Sequence, residues 1–242
     1  MSLSLISYAR ILSHALRQRR LFKSQYGISP SLLQLMIDLP SWHDHRGKQA
    51  TPLSEGIPWI TFGAIRFLER RLLPSAHVFE WGMGGSTAFF LNRCKHVTSV
   101  EHDDEWFLKA HNVFGASEKW SPLHIKPTKV YQQGDVADWA SYRTSDESYG
   151  SYEFGEYARA ICRFPDESLD LIVVDGRARP SCFHHALSKI KRGGYIVWDN
   201  TERVNYHRAM SCVQAKDFSV RHFAGAQPFV PHFTQTSIWT RR

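Results

Sequence analysis

The chain reads as a doubly wound α/β domain with a mostly parallel sheet, preceded by a basic helical extension. Three observations predict this. From residue 59 onward, short apolar strands alternate with amphipathic helices, the pattern that builds a parallel sheet. The run Leu171-Ile172-Val173-Val174 is apolar at every position, as a strand covered on both faces requires. The length, 242 residues, suits one large domain with an appendage.

Taken in order, residues 3–23 form a basic amphipathic helix. Leu5, Tyr8, Leu12, Ala15 and Leu16 recur at helical spacing, with Arg10, Arg17 and Arg20 elsewhere on the wheel. Such a helix could lie on a membrane surface, serve as a targeting segment, or pack on its own domain or a partner subunit; packing is the preferred reading. A secretory signal is disfavoured, because His14 breaks the apolar run and no small-residue cleavage site follows. Pro40, Gly47, Pro52, Gly56 and Pro58 punctuate residues 40–58, which read as irregular. His43 and His45 fall there and read as polar surface rather than metal ligands. The chain divides into an extension, 1–57, and a catalytic-type domain, 58–242. In the latter, Thr61 is the N-cap of a helix over 61–72. Strands are expected at 77–81, 97–101, 123–130, 169–175 and 195–198, and helices at 87–94, 104–113, 157–164 and 182–190. A helix over 204–213 and a closing hairpin from 219–223 and 234–240 complete the chain. Crossovers are expected to be right-handed. The segment 131–157, rich in tyrosine, is too long for a simple connection and reads either as a lid or substrate loop or as a solvated insertion.

Composition removes several classes. With 43% hydrophobic and 22% charged residues, the chain can bury a core. No window approaches the roughly 18 apolar residues of a membrane span. Cys94, Cys162, Cys182 and Cys212 are scattered with no CxxC pair, so they read as reduced thiols of a cytoplasmic protein rather than zinc ligands or a disulfide framework. The net charge is +7, but no acid precedes Asp38, and Arg10, Arg17, Arg19, Arg20 and Lys23 all do. Without that segment the chain is close to neutral. This speaks against a nucleic-acid groove in the core.

The strongest local signal is Glu80-Trp81-Gly82-Met83-Gly84-Gly85-Ser86-Thr87. A strand ends in an acid, and a glycine-rich turn then opens a helix, a place where a ligand can approach main chain closely. A dinucleotide fingerprint wants a third glycine where Thr87 stands. Glu101 ends the next strand, where a carboxylate can accept hydrogen bonds from both ribose hydroxyls. His102 and Asp103 follow it, and Asp103 could equally cap the next helix. Asp175 ends the fourth strand and Asp199-Asn200 the fifth, so both reach the rim where ligands bind open α/β sheets.

These motifs, FEWGMGGST, VEHD, VVDGRAR and DNTER, resemble those of class I S-adenosylmethionine-dependent methyltransferases, in particular a bacterial small-molecule and sugar-type branch. The resemblance covers roughly residues 58–240. It implies a Rossmann-like seven-stranded sheet whose last strand is antiparallel. It implies Glu80, Gly82, Gly84, Gly85, Ser86 and Thr87 around the methionine part of S-adenosylmethionine, Glu101 on the ribose, and His102 and Asp135 near the adenine. Asp175, Asp199 and Asn200 also resemble the magnesium site of catechol-type O-methyltransferases. Gly176-Arg177 departs from that family's flanking residues, so a reading without metal is preferred, with Asp175 touching the cofactor instead.

The expected function is methyl transfer to an oxygen, with nitrogen second, of a small-molecule or sugar-like acceptor. Asp175 is the first candidate base, with His102 and His207 behind it. Asp199 and Asn200 join it at the catalytic rim. Arg177, Arg179 and Arg203 could hold an acceptor phosphate or carboxylate. The rivals are a nicotinamide-dependent oxidoreductase, a non-catalytic cofactor-binding or interaction module, and an RNA or DNA methyltransferase. Nucleic acid is not favoured as a partner, since no base-flipping loop follows the fourth strand. A peripheral membrane contact through residues 3–23 and a homo-oligomer are left open.

Overall fold

The computed structural model describes residues 5–45, 52–132 and 134–242. Two strands organise it, β1 (His77–Trp81) and β6 (Leu169–Val174), which lie side by side and parallel. Their residues alternate between two apolar clusters on opposite sheet faces. Val78, Leu171 and Val173 belong to one; Phe79, Trp81, Ile172 and Val174 belong to the other. That is why the segment shows no polar alternation.

From β1 the sheet extends outward through β2 (His96–Glu101) and β3 (Trp120–His124), both parallel. The chain then crosses back to β6, followed by β7 (Ile190–Asp199), again parallel. β9 (Thr234–Arg241) inserts antiparallel between β7 and β8 (Phe218–Gly225), giving the order β3-β2-β1-β6-β7-β9-β8. The expected seven-stranded sheet with an antiparallel last strand therefore holds. The order reverses between β1 and β6, and an open sheet has its ligand crevice at such a switch point.

One face is covered by α4 (Phe62–Arg71), α5 (Gly85–Leu91) and α6 (Asp104–Phe114). The other is covered by α7 (Gly155–Arg159), α8 (Arg179–Lys189) and α9 (Val204–Ser211). The extension adds α1 (Leu5–Tyr26) and α2 (Leu32–His45) to the α4 face. α1 buries Ile11, Ala15 and Phe22, and α2 buries Leu35, Leu39 and Trp42, all in the same apolar cluster as α4 and α5. Phe22 and Trp42 close on Phe233, with centroids 6.5 and 5.3 Å away, and the Trp42 indole donates to the Val230 carbonyl at 2.8 Å. Asp38 is buried and accepts from Arg66 of α4 at 2.5 Å and from Gln34 at 2.9 Å. The helix expected over 3–23 thus packs on its own domain.

Several expectations change. α2 was not anticipated: Pro40 sits exposed within it, and His43 and His45 lie in its last turn instead of a loop. α3 (Pro52–Glu55) adds a turn of helix, while residues 46–51, Gly47 among them, lie outside the described residues. The strand expected over 123–130 is two. β3 ends at His124, and β4 (Thr128–Lys129) pairs separately with β5 (Tyr152–Glu153). Gly193-Gly194 lies inside β7 rather than before it, where the register shifts from Leu169↔Ile190 to Leu171↔Tyr195.

Candidate active site

The turn after β1 is shaped by two glycines. Gly82 has φ +95°, a conformation side chains rarely adopt, and its N–H donates to the Val100 carbonyl at 2.8 Å. A Cβ on Gly85 would lie 2.1 Å from the Ile57 carbonyl oxygen and 2.4 Å from that of Pro52, so only glycine lets the segment after α3 cross here. Glu80 holds the turn from behind. Its buried carboxylate accepts from the hydroxyls of Thr87 at 2.5 Å, Ser99 at 2.6 Å and Ser86 at 2.7 Å, and Thr87 accepts in turn from the Gly84 N–H at 3.0 Å. Burial pushes the Glu80 carboxyl up to about 7 against the pull of these three hydroxyls.

At the end of β2, Glu101 Oε1 accepts from the N–H groups of His102 at 2.7 Å and Asp103 at 3.0 Å. Burial alone would raise its carboxyl. The donors of His102 and Asp103 outweigh that and hold it below the ordinary range. His102 Nδ1 lies 2.6 Å from the same oxygen, but off the line of a hydrogen bond, so that contact is chiefly electrostatic. Among the described residues Oε2 accepts from the Met83 N–H alone, at 3.3 Å, and keeps room for further donors. Asp103 caps α6 through the Trp106 N–H at 2.8 Å, and the Trp106 indole donates to the Met83 carbonyl, which sets that ring as a wall beside the turn.

The ends of β6 and β7 are joined by Arg179. Its guanidinium lies 3.0 Å from Asp175 Oδ1 and donates to the carbonyls of Asp175 (3.0 Å), Gly176 (3.0 Å) and Asp199 (2.8 Å) and to Asn200 Oδ1 (3.1 Å). It is neither surface nor a free anion clamp. Asn200, in the left-handed region at φ 58°, also accepts from Arg203 at 2.8 Å. Asp199 accepts from the Thr236 hydroxyl at 2.6 Å. Burial raises the Asp175 carboxyl, and Asp199 and Glu80 push it further, against Arg179. Glu202, buried and bonded to the Gln235 N–H at 2.8 Å, rises to about 7 through burial and the neighbouring Asp199.

These elements open on one cleft of about 910 Å3. Gly82, Gly84, Gly85, Ser86 and Glu101 line one part; Asp175, Asp199 and Asn200 line another. Glu80, Thr87 and His102 do not line it. Glu80 and Thr87 brace the turn, and His102 stands behind Glu101, its Nε2 accepting from Arg177 at 3.4 Å. Asp135 is a correction: it accepts from the Ala137 N–H at 2.8 Å and pairs with Arg208 at 3.4 Å on the surface. The reason is the course of the tyrosine-rich segment, which packs on α8 through Ser181 to the Trp139 carbonyl (2.6 Å) and a Trp139–His184 stack (3.4 Å). It reaches the cleft rim at Arg177, which pairs with Asp146 at 2.9 Å and lies over the Tyr149 ring at 5.5 Å. His207 is exposed outside the cleft lining.

Of the oxygens a magnesium ion would need, Asn200 Oδ1 and one oxygen each of Asp175 and Asp199 are already engaged. Arg179 and Arg203 take Asn200, Thr236 takes one oxygen of Asp199, and Arg179 already supplies a cation beside Asp175. The donor set does not fit a metal. Sequence reasoning missed Trp106, Glu202 and the wall that α1 contributes through Gln18, Leu21 and Tyr26. Glu202 lay unread inside DNTER, and Trp106 stands three residues after the capping Asp103.

No family model and no curated protein matches the chain. Solved structures do. A methyltransferase-assigned protein from Streptococcus mutans, SMU.1697c in complex with SAH, is 11% identical over 73% of this chain and 94% of its own, with a TM-score of 0.51. A protein from Clostridium thermocellum assigned as an rRNA-methylase is 10% identical over 74% and 94%, with a TM-score of 0.52. The fold is that of the class I S-adenosylmethionine-dependent methyltransferases. The second likeness overturns the expectation that nucleic acid is not a partner. The basic N-terminal helix does not stand apart from the site, because the fold brings its last turns to the cleft. Among the described residues, no helix is long and apolar enough to cross a membrane.

Proposed function

We propose that this chain is an S-adenosylmethionine-dependent methyltransferase acting on a hydroxyl oxygen of a sugar-like acceptor. The observation that carries the reading is the junction in one cleft of the Gly82–Gly85 turn, a Glu101 oxygen with spare accepting capacity, and Asp175. When bound, the cofactor supplies a methyl group made electrophilic by a sulfonium. Glu101 takes the ribose hydroxyls, the main chain of Met83 and Gly84 lies along the methionine part, and Trp106 walls the site. Asp175 accepts the acceptor's hydroxyl proton. Burial brings its carboxyl to about 7, a stronger base than an ordinary carboxylate and still ionised in part at neutral pH. Arg179 orients it through Oδ1 and leaves Oδ2 for the proton. Asp199 and Asn200 act as positioning residues through Arg179 and Arg203. Four free cysteines favour a cytoplasmic setting.

Calorimetric titration with S-adenosylhomocysteine beside NAD tests the reading. Micromolar binding of the first alone, lost in Glu101→Ala, is the expected result. Binding of NAD, or of neither, would return the turn to a general nucleotide site.

A further inference from the structure

We infer that the acceptor is an RNA strand, gripped outside the cleft by one stripe of α1. The inference rests on the methyltransferase reading above and assigns its acceptor class.

α1 does more than cover core. Its last turns form part of the cleft wall, through Gln18, Leu21, Phe22, Ser24 and Gln25. With 3.6 residues per turn, Arg10, Arg17 and Ser24 fall on one line along the helix, and Arg20 falls beside it. The stripe spans roughly 21 Å from Arg10 to Ser24 at 1.5 Å per residue, and it ends in the cleft. All three arginines are exposed. Among the described residues their side chains make no ion pair or hydrogen bond, in contrast to Arg19 on the inner side, which donates to the Pro30 carbonyl at 2.8 Å. Unpaired guanidiniums in a row suit a chain of phosphates, each of which one can hold through two N–H groups.

At the cleft stands Trp59, 44% exposed, its ring edge against Phe229 at 6.2 Å. An exposed tryptophan beside a basic track is the arrangement that holds single strands, bases stacking while phosphates are neutralised. The cleft is also large. Its volume of about 910 Å3 sits near the upper end of the roughly 300–1,000 Å3 of ordinary ligand sites, so a nucleotide can enter beside a cofactor. RNA supplies the sugar hydroxyl that Asp175 would serve. A lipid surface fits less well. The exposed apolar side chains Leu32, Leu33, Met36 and Ile37 belong to α2. α1 meets α2 through Tyr8, which donates to Met36 at 3.9 Å, on the flank away from the arginines. Among the described residues α1 itself exposes just Ile6, Leu16 and Leu21 as large apolar side chains, spaced along the helix rather than gathered in a patch.

The test uses the full chain saturated with S-adenosylhomocysteine and a labelled 12-nucleotide single-stranded RNA, read by fluorescence anisotropy across a salt series. Three phosphate contacts predict a slope of log K against log salt near −2, from about −0.7 per phosphate on a single strand. Replacing Arg10, Arg17 and Arg20 by alanine together should bring the slope close to zero and weaken binding at least tenfold, with S-adenosylhomocysteine affinity unchanged. Trp59→Ala should weaken binding about tenfold with the slope retained. Cofactor binding without RNA binding overturns the proposal, as does a triple variant that binds RNA like the native chain. Phosphatidylglycerol vesicles bound in place of RNA, through the same arginines, would also overturn it, in favour of a lipid surface. Absence of S-adenosylhomocysteine binding marks instead the failure of the methyltransferase reading.

Discussion

The guanidinium of Arg179 touches five oxygens across the ends of β6 and β7. It is also the cation that acts most strongly on the half-buried Asp175 and the buried Asp199. Removing one partner of a buried charge pair typically costs about 3–5 kcal/mol, because the other charge is left uncompensated. Arg179→Ala should therefore lower the urea unfolding free energy by about 3 kcal/mol, and lysine should not restore it, since one ammonium cannot reproduce the fork. An unchanged midpoint would show that the knot is ornamental. Gly85→Ala is the second residue-scale test. Its methyl would meet two carbonyl oxygens at 2.1 and 2.4 Å, so the turn must shift. Affinity for S-adenosylhomocysteine should fall at least tenfold, with stability lowered by about 1–3 kcal/mol, the usual cost of overpacking. Glycines and strand-end acids of this kind were legible from the sequence because their chemistry is local. The engagement of Arg179 was not, because three of its five partners are main-chain carbonyls, which leave no mark in the sequence, and the Asp199 carbonyl and Asn200 Oδ1 come from the end of β7, some twenty residues on.

Among elements, β6 could be read directly, since a strand buried on both faces leaves a continuous apolar run, whereas β1 and β2 bury Glu80, Thr98, Ser99 and Glu101 among their apolar residues. α2 could not be read. Pro40 looks like punctuation, yet it stands exposed while Leu35, Leu39 and Trp42 face inward, and tertiary burial outweighs the lost hydrogen bond. The periodicity of α1 was visible, but not what it packs against. That contact depends on Phe233 and Pro231, more than two hundred residues on in the chain. Phe22 is the pivot: it is buried against Tyr26 at 5.0 Å and Phe233 at 6.5 Å, and it lines the cleft. Phe22→Ala should cost about 3 kcal/mol, expressed as release of α1. Limited proteolysis should then cut between α1 and α2 while the sheet stays folded. If α1 remains protected, its docking rests elsewhere, on Ile11 and Ala15.

For the whole molecule, the acids gathered around the switch point give a signature in pH. Glu80, Asp175 and Glu202 are each raised to about 7 by burial, from ordinary values of 4.5, 3.8 and 4.5. Between about pH 4 and 7 the folded chain therefore holds protons that the unfolded chain has released, and stability must fall as pH rises through that window. Their contribution is fully present below the unfolded values and is gone above about 7. Glu101 acts in the opposite sense. Its lowered carboxyl contributes stability above its ordinary value and loses it only as pH falls through the folded one. Five histidines whose imidazoles burial lowers, His96, His184, His185, His222 and His232, also act in the opposite sense in that window, so the acids show as a difference: the native thermal midpoint should decline from pH 5 to pH 7.5 relative to a variant that lacks one of them. Glu202→Gln should flatten that decline without altering the limb below pH 4, since an amide has no proton to release there. Profiles that coincide with the native one from pH 5 to pH 7.5 for both Glu202→Gln and Asp175→Asn would mean that these acids are ionised in the fold. The cleft would then hold its charges against water that has entered, and Asp175 would be an ordinary carboxylate, too weak a base for a hydroxyl acceptor.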